Sequence, residues 1–304
     1  HRLGVGFDGT AIALALDAEF SCQGFRFALD GLGIAIPFQP QNVADFLLSG
    51  LSISYQQSGL AIGGGFTHRK GQQGESYDGS IQITAGELSL QAVASYADGS
   101  FLAYGILRAG IGGPPAFSVT GLALGFGINQ YLKLPSMEQV ETYPLVAAAL
   151  DSSYTADQLL EGIKERTTPL PGQSFLVAGI CFNSFGMADS TALLTVSFGA
   201  HLEVGVLGTS VMTAPPMTKT DPIARAQLAL AAVFLPESGL FAAQAQLTEG
   251  SYILSRNCHL TGDFAFYLWF DGAHKDDFVI TLGGYSKKYQ KPQHYPDVSR
   301  LGFV

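Results

Sequence analysis

The fold of this chain is decided by residues 112 to 127, Gly112-Gly-Pro-Pro-Ala-Phe-Ser-Val-Thr-Gly-Leu-Ala-Leu-Gly-Phe-Gly127. The first four residues predict a turn, because glycine permits positive φ and proline fixes φ near the value that turns use. The remainder alternates small and bulky residues, which is typical of a β-strand. The uncharged stretch 109–132 is long enough to span a bilayer as a helix, but its prolines and glycines disfavour a helix.

A glycine followed by an aliphatic residue and then by alternation recurs along the chain. The phrase stands at Gly31-Leu-Gly-Ile34, Gly50-Leu-Ser-Ile53, Gly59-Leu-Ala-Ile62 and Gly121-Leu-Ala-Leu124, with a looser copy at Gly179-Ile-Cys-Phe182. The irregular spacing excludes a solenoid repeat. We interpret these glycines as points where strands bend or pack closely, the alternative being coincidence in a glycine-rich β protein.

Composition indicates a folded β protein with no nucleic-acid partner. Of the 304 residues, 13% are charged and 47% apolar, 37 are glycine, and the net charge is −9. So little charge argues against disorder and indicates strands buried on both sides or an extended apolar surface. Lysine and arginine do not cluster, so nucleic-acid binding is not expected.

Period-two alternation predicts strands along most of the chain. Predicted strands and hairpins cover 11–16, 25–38, 47–66, 81–96, 101–111, 117–132, 175–185, 193–198, 202–207, 226–235, 240–247, 252–254, 264–270 and 278–282. The apolar residues change from one set of alternate positions to the other at Gly31, which predicts a bulge. The polar stretch 68–78 predicts a loop. The strand at 264–270 is apolar on both faces, as in a central strand or the wall of a ligand site.

Residues 133–172 interrupt this β pattern. Two pairs have capping-box spacing, Ser136 with Gln139 and Thr155 with Gln158, and they predict a short helix near 136–142 and a longer one at 156–166. The prolines at 167–172 predict a linker-like stop.

The chain therefore divides into a β-rich first half (1–132), a helical insertion or linker (133–172) and a β-rich second half (173–304), which together form one continuous β domain. We predict an all-β fold with long antiparallel strands in a curved sheet, a sandwich or an open barrel, and a small helical insertion.

The sequence assigns no catalytic residue, cofactor or metal ligand. Nucleophile-elbow and phosphate-loop motifs are missing, and Cys22, Cys181 and Cys258 are interpreted as free thiols, or as one disulfide and a spare thiol, which assigns no compartment. The densest polar group comprises Cys258, His259, Asp263, Asp271, His274, Asp276 and Asp277. We interpret it as a polar loop between two apolar strands, with a cation site, or a glycosidase pair of Asp263 with Asp271 or Glu203, as alternatives.

Three sequence groups resemble a known family. They are Gly112–Phe117 with Gly125-Phe-Gly-Ile-Asn129, Asp277-Phe-Val279 leading to Gly283-Gly-Tyr285, and His294-Tyr-Pro296 before Arg300-Leu-Gly302. Together they are similar to large, β-rich microbial proteins catalogued as a domain of unknown function, over the chain from about residue 45 onward. The resemblance implies that this chain is one end of a longer protein, and it implies no catalytic residues.

We predict non-catalytic binding or transfer of an apolar ligand, with lipid as the expected class, along an apolar β face. The expected ligand-binding residues are Phe126, Phe264, Phe266, Tyr267, Trp269 and Tyr285. One alternative is a structural module that self-assembles through strand edges or apolar patches into a homo-oligomer, filament or larger particle. The other is a hydrolase that uses the polar group at 258–277.

Overall fold

A computed structural model describes residues 2–7, 11–22, 25–37, 45–47, 49–57, 59–71, 74–114, 116–151, 153–215 and 222–303. The Cys22 side chain and the side chains of the alternating stretch 11–16 lie outside the described part, so the predictions that concern them stay predictions. Strands make up 64% of the chain and helices 11%, which confirms the all-β class with a small helical insertion.

The strands of the first half are β1 (Arg2–Phe7), β2 (Ala11–Cys22), β3 (Phe25–Pro37), β4 (Asp45–Leu47), β5 (Gly50–Gln57), β6 (Leu60–Gly71), β7 (Gly74–Ala85), β8 (Leu88–Ala97), β9 (Ser100–Gly112) and β10 (Phe117–Leu132). The second half contains β11 (Thr167–Ser184), β12 (Ala188–Phe198), β13 (Glu203–Ala214), β14 (Ala224–Leu235), β15 (Leu240–Leu247), β16 (Tyr252–Ile253), β17 (Ser255–Thr261), β18 (Asp263–Trp269), β19 (Asp277–Leu282) and β20 (Gly302–Phe303).

Sixteen of these strands form a single antiparallel sheet. Its spatial order follows the chain, β1-β2-β3-β5-β6-β7-β8-β9-β10-β11-β12-β13-β14-β15-β18-β19. The short strands β4, β16, β17 and β20 pair at its margins. Within the described part, β1 and β19 each have one neighbour, so the sheet is open at both edges.

The helical insertion joins β10 to β11 without separating them. It contains a 3-10 turn (Met137–Gln139), α1 (Pro144–Leu150) and α2 (Ala156–Arg166), while β10 and β11 pair from Phe117 opposite Ser184 to Leu132 opposite Thr167. The predicted linker at 167–172 is wrong, because these residues begin β11. Pro169 is tolerated there because β12 pairs only with residues 174–184 of β11. No described strand therefore requires a backbone N–H from Pro169 on that side of β11.

The predicted capping box of α2 is confirmed. The Thr155 hydroxyl accepts a hydrogen bond from the Gln158 amide at 3.2 Å, and the Gln158 side chain accepts one from the Thr155 amide at 2.9 Å. Ser136 makes no such cap and begins only a 3-10 turn, so the helix predicted at 136–142 is wrong. Helix α1 was not predicted from the sequence.

The insertion covers one face of the central strands, which we call the helix-bearing face. The hydrophobic core lies between the helices and β8–β14. Its fully buried members include Ile106, Val140, Tyr143, Leu159, Leu193 and Leu207. The Tyr104 hydroxyl donates to the carbonyl of Leu145 at 3.0 Å, and the Arg108 guanidinium donates to the carbonyls of Ala148 and Asp151. The sheet is thereby fixed to α1 near both ends, with the Arg108 cation at the C-terminal carbonyls.

Two predictions in the first half have different outcomes. The bulge at Gly31 is confirmed: this glycine has φ of 62°, the register shifts opposite it, and its amide donates to the Asp17 carboxylate at 2.8 Å. The loop predicted at 68–78 is wrong, because β6 and β7 continue through it as paired strands, with Lys70 opposite Glu75. A cross-strand ion pair and aromatic stacking stabilise this polar part of the hairpin.

Candidate functional site

The sheet face opposite the helices carries three unbroken rows of apolar residues across ten strands, β8 to β15 with β18 and β19. We call these rows the apolar face. The first row is Ala94, Ala103, Phe126, Leu176, Val196, Val204, Phe234, Phe241, Leu268 and Phe278. The second is Ala92, Gly105, Leu124, Ala178, Leu194, Val206, Ala232, Ala243, Phe266 and Ile280. The third is Leu90, Leu107, Leu122, Ile180, Ala192, Gly208, Leu230, Ala245, Phe264 and Leu282.

Charge is segregated to the other side of the same strands. The six charged residues in these ten strands are Arg108, Asp189, Glu203, Arg225, Asp263 and Asp277. Each stands at an alternate position, on the helix-bearing face, because successive side chains of a strand point to opposite sides. The apolar face therefore contains no side chain that would prefer water or an ionic partner.

The apolar face is open to solvent. Leu124 is 67% exposed, Leu176 51% and Ile280 64%. Ten strands spaced about 4.8 Å apart, with rows about 7 Å apart, give the face a span of roughly 40 by 15 Å. That is about 600 Å², at the upper end of the apolar patches found on soluble monomers.

Aromatic residues line one border of the apolar face. His68, Tyr77, Tyr96 and Phe101 stand opposite one another on β6 to β9, in the row beyond the first, and we call them the aromatic border. His68 stacks on Tyr77 at 4.4 Å with an interplanar angle of 2°. Tyr77 and Tyr96 lie 6.2 Å apart at 43°. Phe101 contacts Phe126 of the first row at 5.4 Å, so the border and the apolar face are continuous.

An ion pair stands just outside the aromatic border on the same side of the sheet. Lys70 Nζ lies 3.2 Å from Glu75 Oε1, and the Tyr77 hydroxyl donates to Glu75 Oε2 at 3.1 Å. Hydrogen bonds from Lys70 and Tyr77 hold the pKa of Glu75 below its usual value. The same bond to Glu75 raises the pKa of Tyr77. The surface thus passes from apolar through aromatic to charged over three successive rows.

The structure divides the six predicted ligand-binding residues between the two faces. Phe126, Phe264 and Phe266 belong to the apolar face, but β10 and β18 are separated by five strands, or about 29 Å. Tyr267 and Trp269 alternate with the two phenylalanines of β18 and therefore lie on the helix-bearing face. The six residues do not meet in one pocket.

Tyr285 lies in a tail, residues 283–301, that folds onto Trp269. Tyr295 stacks on Trp269 at 5.7 Å and 11°, and Tyr285 stacks on Tyr295 at 6.5 Å. The Asp277 carboxylate accepts hydrogen bonds from His294 and from the Tyr295 hydroxyl, both at 2.8 Å, and these bonds hold its pKa below the usual value. Burial and the bond to Asp277 raise the pKa of Tyr295 to about 12.

The polar group at 258–277 does not assemble into one site. Asp271 caps the 3-10 turn Gly272–His274, and His274 stacks on His294 of the tail at 3.8 Å. Asp263 lies at the opposite end of β18, about 20 Å away by strand rise, where it accepts a hydrogen bond from the Ser299 amide at 2.8 Å. Within the described ranges no three His, Cys, Asp or Glu residues are placed to hold a metal ion. Cys181 and Cys258 are free thiols.

Residues of the helical insertion line a cavity on each of its two sides. One of 690 Å³ lies between α2 and β5–β7 and is lined by Ser52, Thr67, Ser80 and Glu161, among others. The other, of 360 Å³, lies beside the insertion and is lined by both Glu203 and Asp263, one of the carboxylate pairs considered from the sequence. Burial raises the pKa of Glu203.

Most members of the apolar face were missed as site residues by sequence reasoning. Leu176, Leu194 and Val206 look like core residues, because alternation shows which residues share a face but not which face is covered. The signal available was the position of the charges: six of these ten strands contain one charged residue each, and each charge alternates with the bulky apolar residues of its strand.

Fold and site together define a class: a large, open, antiparallel sheet with a helical insertion on one face and a bare apolar surface on the other. The chain belongs to the family described as "Family of unknown function (DUF6603)", whose model matches residues 1–304. This confirms the resemblance to a domain of unknown function. No curated protein matches the chain, and no solved structure does. Among the helices that the structure describes, none is long and apolar enough to cross a membrane.

Proposed function

We propose that the chain binds the acyl chains of lipids along the apolar face. The observation that carries the proposal is the segregation of charge: thirty neighbouring apolar positions form one surface with bulky residues exposed to solvent, while all charges of the same strands point the other way. Lipid tails suit such a surface because they are extended, apolar and make no directional contacts.

The dimensions also favour lipid. A single acyl chain spans about half of the ~30 Å hydrocarbon core of a bilayer, so the roughly 40 Å length of the face accommodates more than one chain. Each buried methylene contributes about 0.8 kcal/mol, which makes a long chain a strong ligand even on an open surface.

Charge inserted into the apolar face tests the proposal. Leu124→Lys and Ile280→Lys place ammonium groups at exposed positions of the second row, so folding should be retained while lipid uptake falls at least tenfold. Gln82→Lys is the matched control, because Gln82 is an exposed residue of β7 pointing to the helix-bearing face. Uptake is measured as transfer of a fluorescent fatty acid from vesicles, with native mass spectrometry of protein purified without detergent.

Delipidated protein that neither retains nor rebinds lipid would overturn the proposal. So would Leu124→Lys and Ile280→Lys variants that take up lipid as the unmodified chain does.

A second candidate function, self-assembly, is favoured by the edge strand β19. Phe278 and Leu282 are the most exposed bulky members of their rows, and Ile280 is 64% exposed. No described strand pairs with the outer side of β19. An open apolar edge is a template for pairing with another chain. Light scattering over a hundredfold concentration range tests this candidate, and a constant monomer mass would contradict it.

A further inference from the structure

We infer that the aromatic border and the Lys70–Glu75 pair form a site for a lipid headgroup that carries both a quaternary ammonium and a phosphate. The inference rests on the proposed function, since it assumes that the tail of the same molecule lies on the apolar face. It adds a headgroup class and a location at one edge of that face.

The arrangement of rings supports the ammonium half of this site. Tyr77 and Tyr96 are 6.2 Å apart and inclined at 43°, so their faces form a wedge, and Tyr96 is 45% exposed. Quaternary ammonium groups bind over aromatic faces within about 6 Å of the ring centre, and tyrosine is one of the rings that they prefer. Stacking of His68 on Tyr77 holds the inner ring of the wedge in place.

Charge near the wedge supports the same assignment. Glu75 is anchored by Tyr77, whose hydroxyl donates to its carboxylate at 3.1 Å, so one negative charge is fixed beside the rings. His68 Nε2 lies 3.5 Å from the same carboxylate. A cation that cannot donate hydrogen bonds is held by such a carboxylate through charge alone.

Lys70 supplies the complementary charge for phosphate. Its side chain is 79% exposed, pairs with Glu75 and ends a long and flexible stem. A ligand ammonium that takes the place of the Lys70 ammonium beside Glu75 frees Lys70 for the adjacent phosphate. The net charge of the site does not change, because the ligand is a zwitterion. The pair of Lys70 with Glu75 is replaced by one pair of Glu75 with the ligand ammonium and one pair of Lys70 with the ligand phosphate.

The position of this site fits an amphiphile. Phe101 of the border contacts Phe126 of the first apolar row, so a molecule with its head at Lys70 and Glu75 meets apolar surface at the next row. Tyrosine is the residue that proteins place at boundaries between apolar and aqueous regions.

Cross-strand aromatic pairs also stabilise sheets, so the experiment must separate binding from folding. The probes are lysophosphatidylcholine and a monoacylglycerol with the same acyl chain, titrated against the full chain. We expect the choline lipid to bind about tenfold more tightly, corresponding to the 1–2 kcal/mol of a cation–π contact with a nearby charge. Glu75→Gln and Tyr96→Leu should each reduce this preference to less than threefold, while Tyr96→Phe, which keeps the ring, should retain it.

The controls distinguish failure of this site from failure of the proposed function. Glu87→Gln alters an exposed carboxylate in the turn between β7 and β8 and should leave the preference unchanged. Equal binding of both lipids by the unmodified chain would overturn the headgroup site and leave the apolar face intact, whereas binding of neither would overturn both. Free phosphocholine that binds as tightly as the lysolipid would overturn the assignment to a lipid.

Discussion

The side-chain amide of Gln91 on β8 donates a 2.9 Å hydrogen bond to the main-chain carbonyl of Tyr154, in the connection between α1 and α2. Gln91 is 1% exposed, whereas its apolar neighbours Leu90 and Ala92 lie on the open side of the sheet. At this point of β8 the usual arrangement of an amphipathic strand is inverted, because the insertion buries the polar Gln91 while the apolar Leu90 and Ala92 stay uncovered.

Replacement of Gln91 should therefore destabilise the fold. Gln91→Ala leaves the Tyr154 carbonyl without its partner and creates a cavity, so we expect a loss of about 1–3 kcal/mol in the free energy of unfolding. Gln82→Ala, at an exposed position of β7, should change it by less than about 0.5 kcal/mol. Denaturant titration followed by circular dichroism measures both, and equal midpoints for the two variants would contradict the prediction.

The ion pair of Asp78 and Lys164 fixes α2 to β7. Asp78 is buried and also accepts a hydrogen bond from Ser95 at 2.7 Å. Lys164→Met should lower stability by about 3 kcal/mol, because it leaves a buried carboxylate without its cation. Adding Asp78→Asn should recover part of this loss.

The matched control for this pair is Lys291→Met, which breaks the pair with the exposed Asp297. We expect a change below about 1 kcal/mol there. Equal losses from Lys164→Met and Lys291→Met in thermal unfolding would show that burial of Asp78 contributes nothing.

Glycines of β10 are required by the core. A β-carbon at Gly127 would overlap the ring of Phe175, whereas one at Gly110 of β9 would meet no atom within 4 Å. Gly127→Ala should destabilise the protein by about 1–3 kcal/mol through overpacking, and Gly110→Ala should be close to neutral. The melting temperatures of the two variants test this prediction, and that of Gly127→Ala should be the lower. A neutral Gly127→Ala would mean that the core relaxes around the added methyl group.

Acid should loosen the tail from β18. The pKa of Asp277 is lowered in the folded protein by bonds from His294 and Tyr295. Its stabilising contribution is therefore complete above the unfolded pKa of about 4, and is lost as the pH falls through the lower folded value. The single tryptophan, Trp269, stacks on Tyr295 and reports the change through its fluorescence.

We expect an acid transition in the Trp269 emission below about pH 4. In Asp277→Asn the emission should already resemble the loosened state at neutral pH. Glu249→Gln, in an exposed turn, is the control and should keep the transition. An unchanged transition in Asp277→Asn would show that another group controls tail docking.

Much of the fold could be predicted from alternation and turn residues. The hairpin of 226–235 with 240–247, the bulge at Gly31 and the cap of α2 each depend on local chemistry that the sequence displays. Helix α1 could not, because Pro-Leu-Val-Ala-Ala-Ala-Leu has no polar face and forms only where core residues surround it. The polar pairs at 68–78 likewise become strand only through contacts across β6 and β7.

The sequence indicates that the chain has an apolar strand face, but it does not show which residues of the different strands share that face. Phe126, Phe264 and Phe266 were expected on an apolar face and lie on one, while Tyr267 and Trp269 point the other way, because a period of two separates neighbours on a strand. The sequence cannot show which side of the sheet the 34-residue helical insertion covers, because that depends on tertiary contacts such as those between Gln91 and Tyr154 and between Asp78 and Lys164.

The segregation of charge across the sheet gives the molecule a preferred orientation at any boundary between oil and water. All six charges of the ten strands lie on the side that carries the helices, so the apolar face, as far as the aromatic border, can enter an apolar phase without dehydrating an ion. Adsorbed at an oil droplet, the protein would turn the apolar face toward the oil and the helix-bearing face toward the water, and a drop-shape measurement would detect this as a fall in interfacial tension.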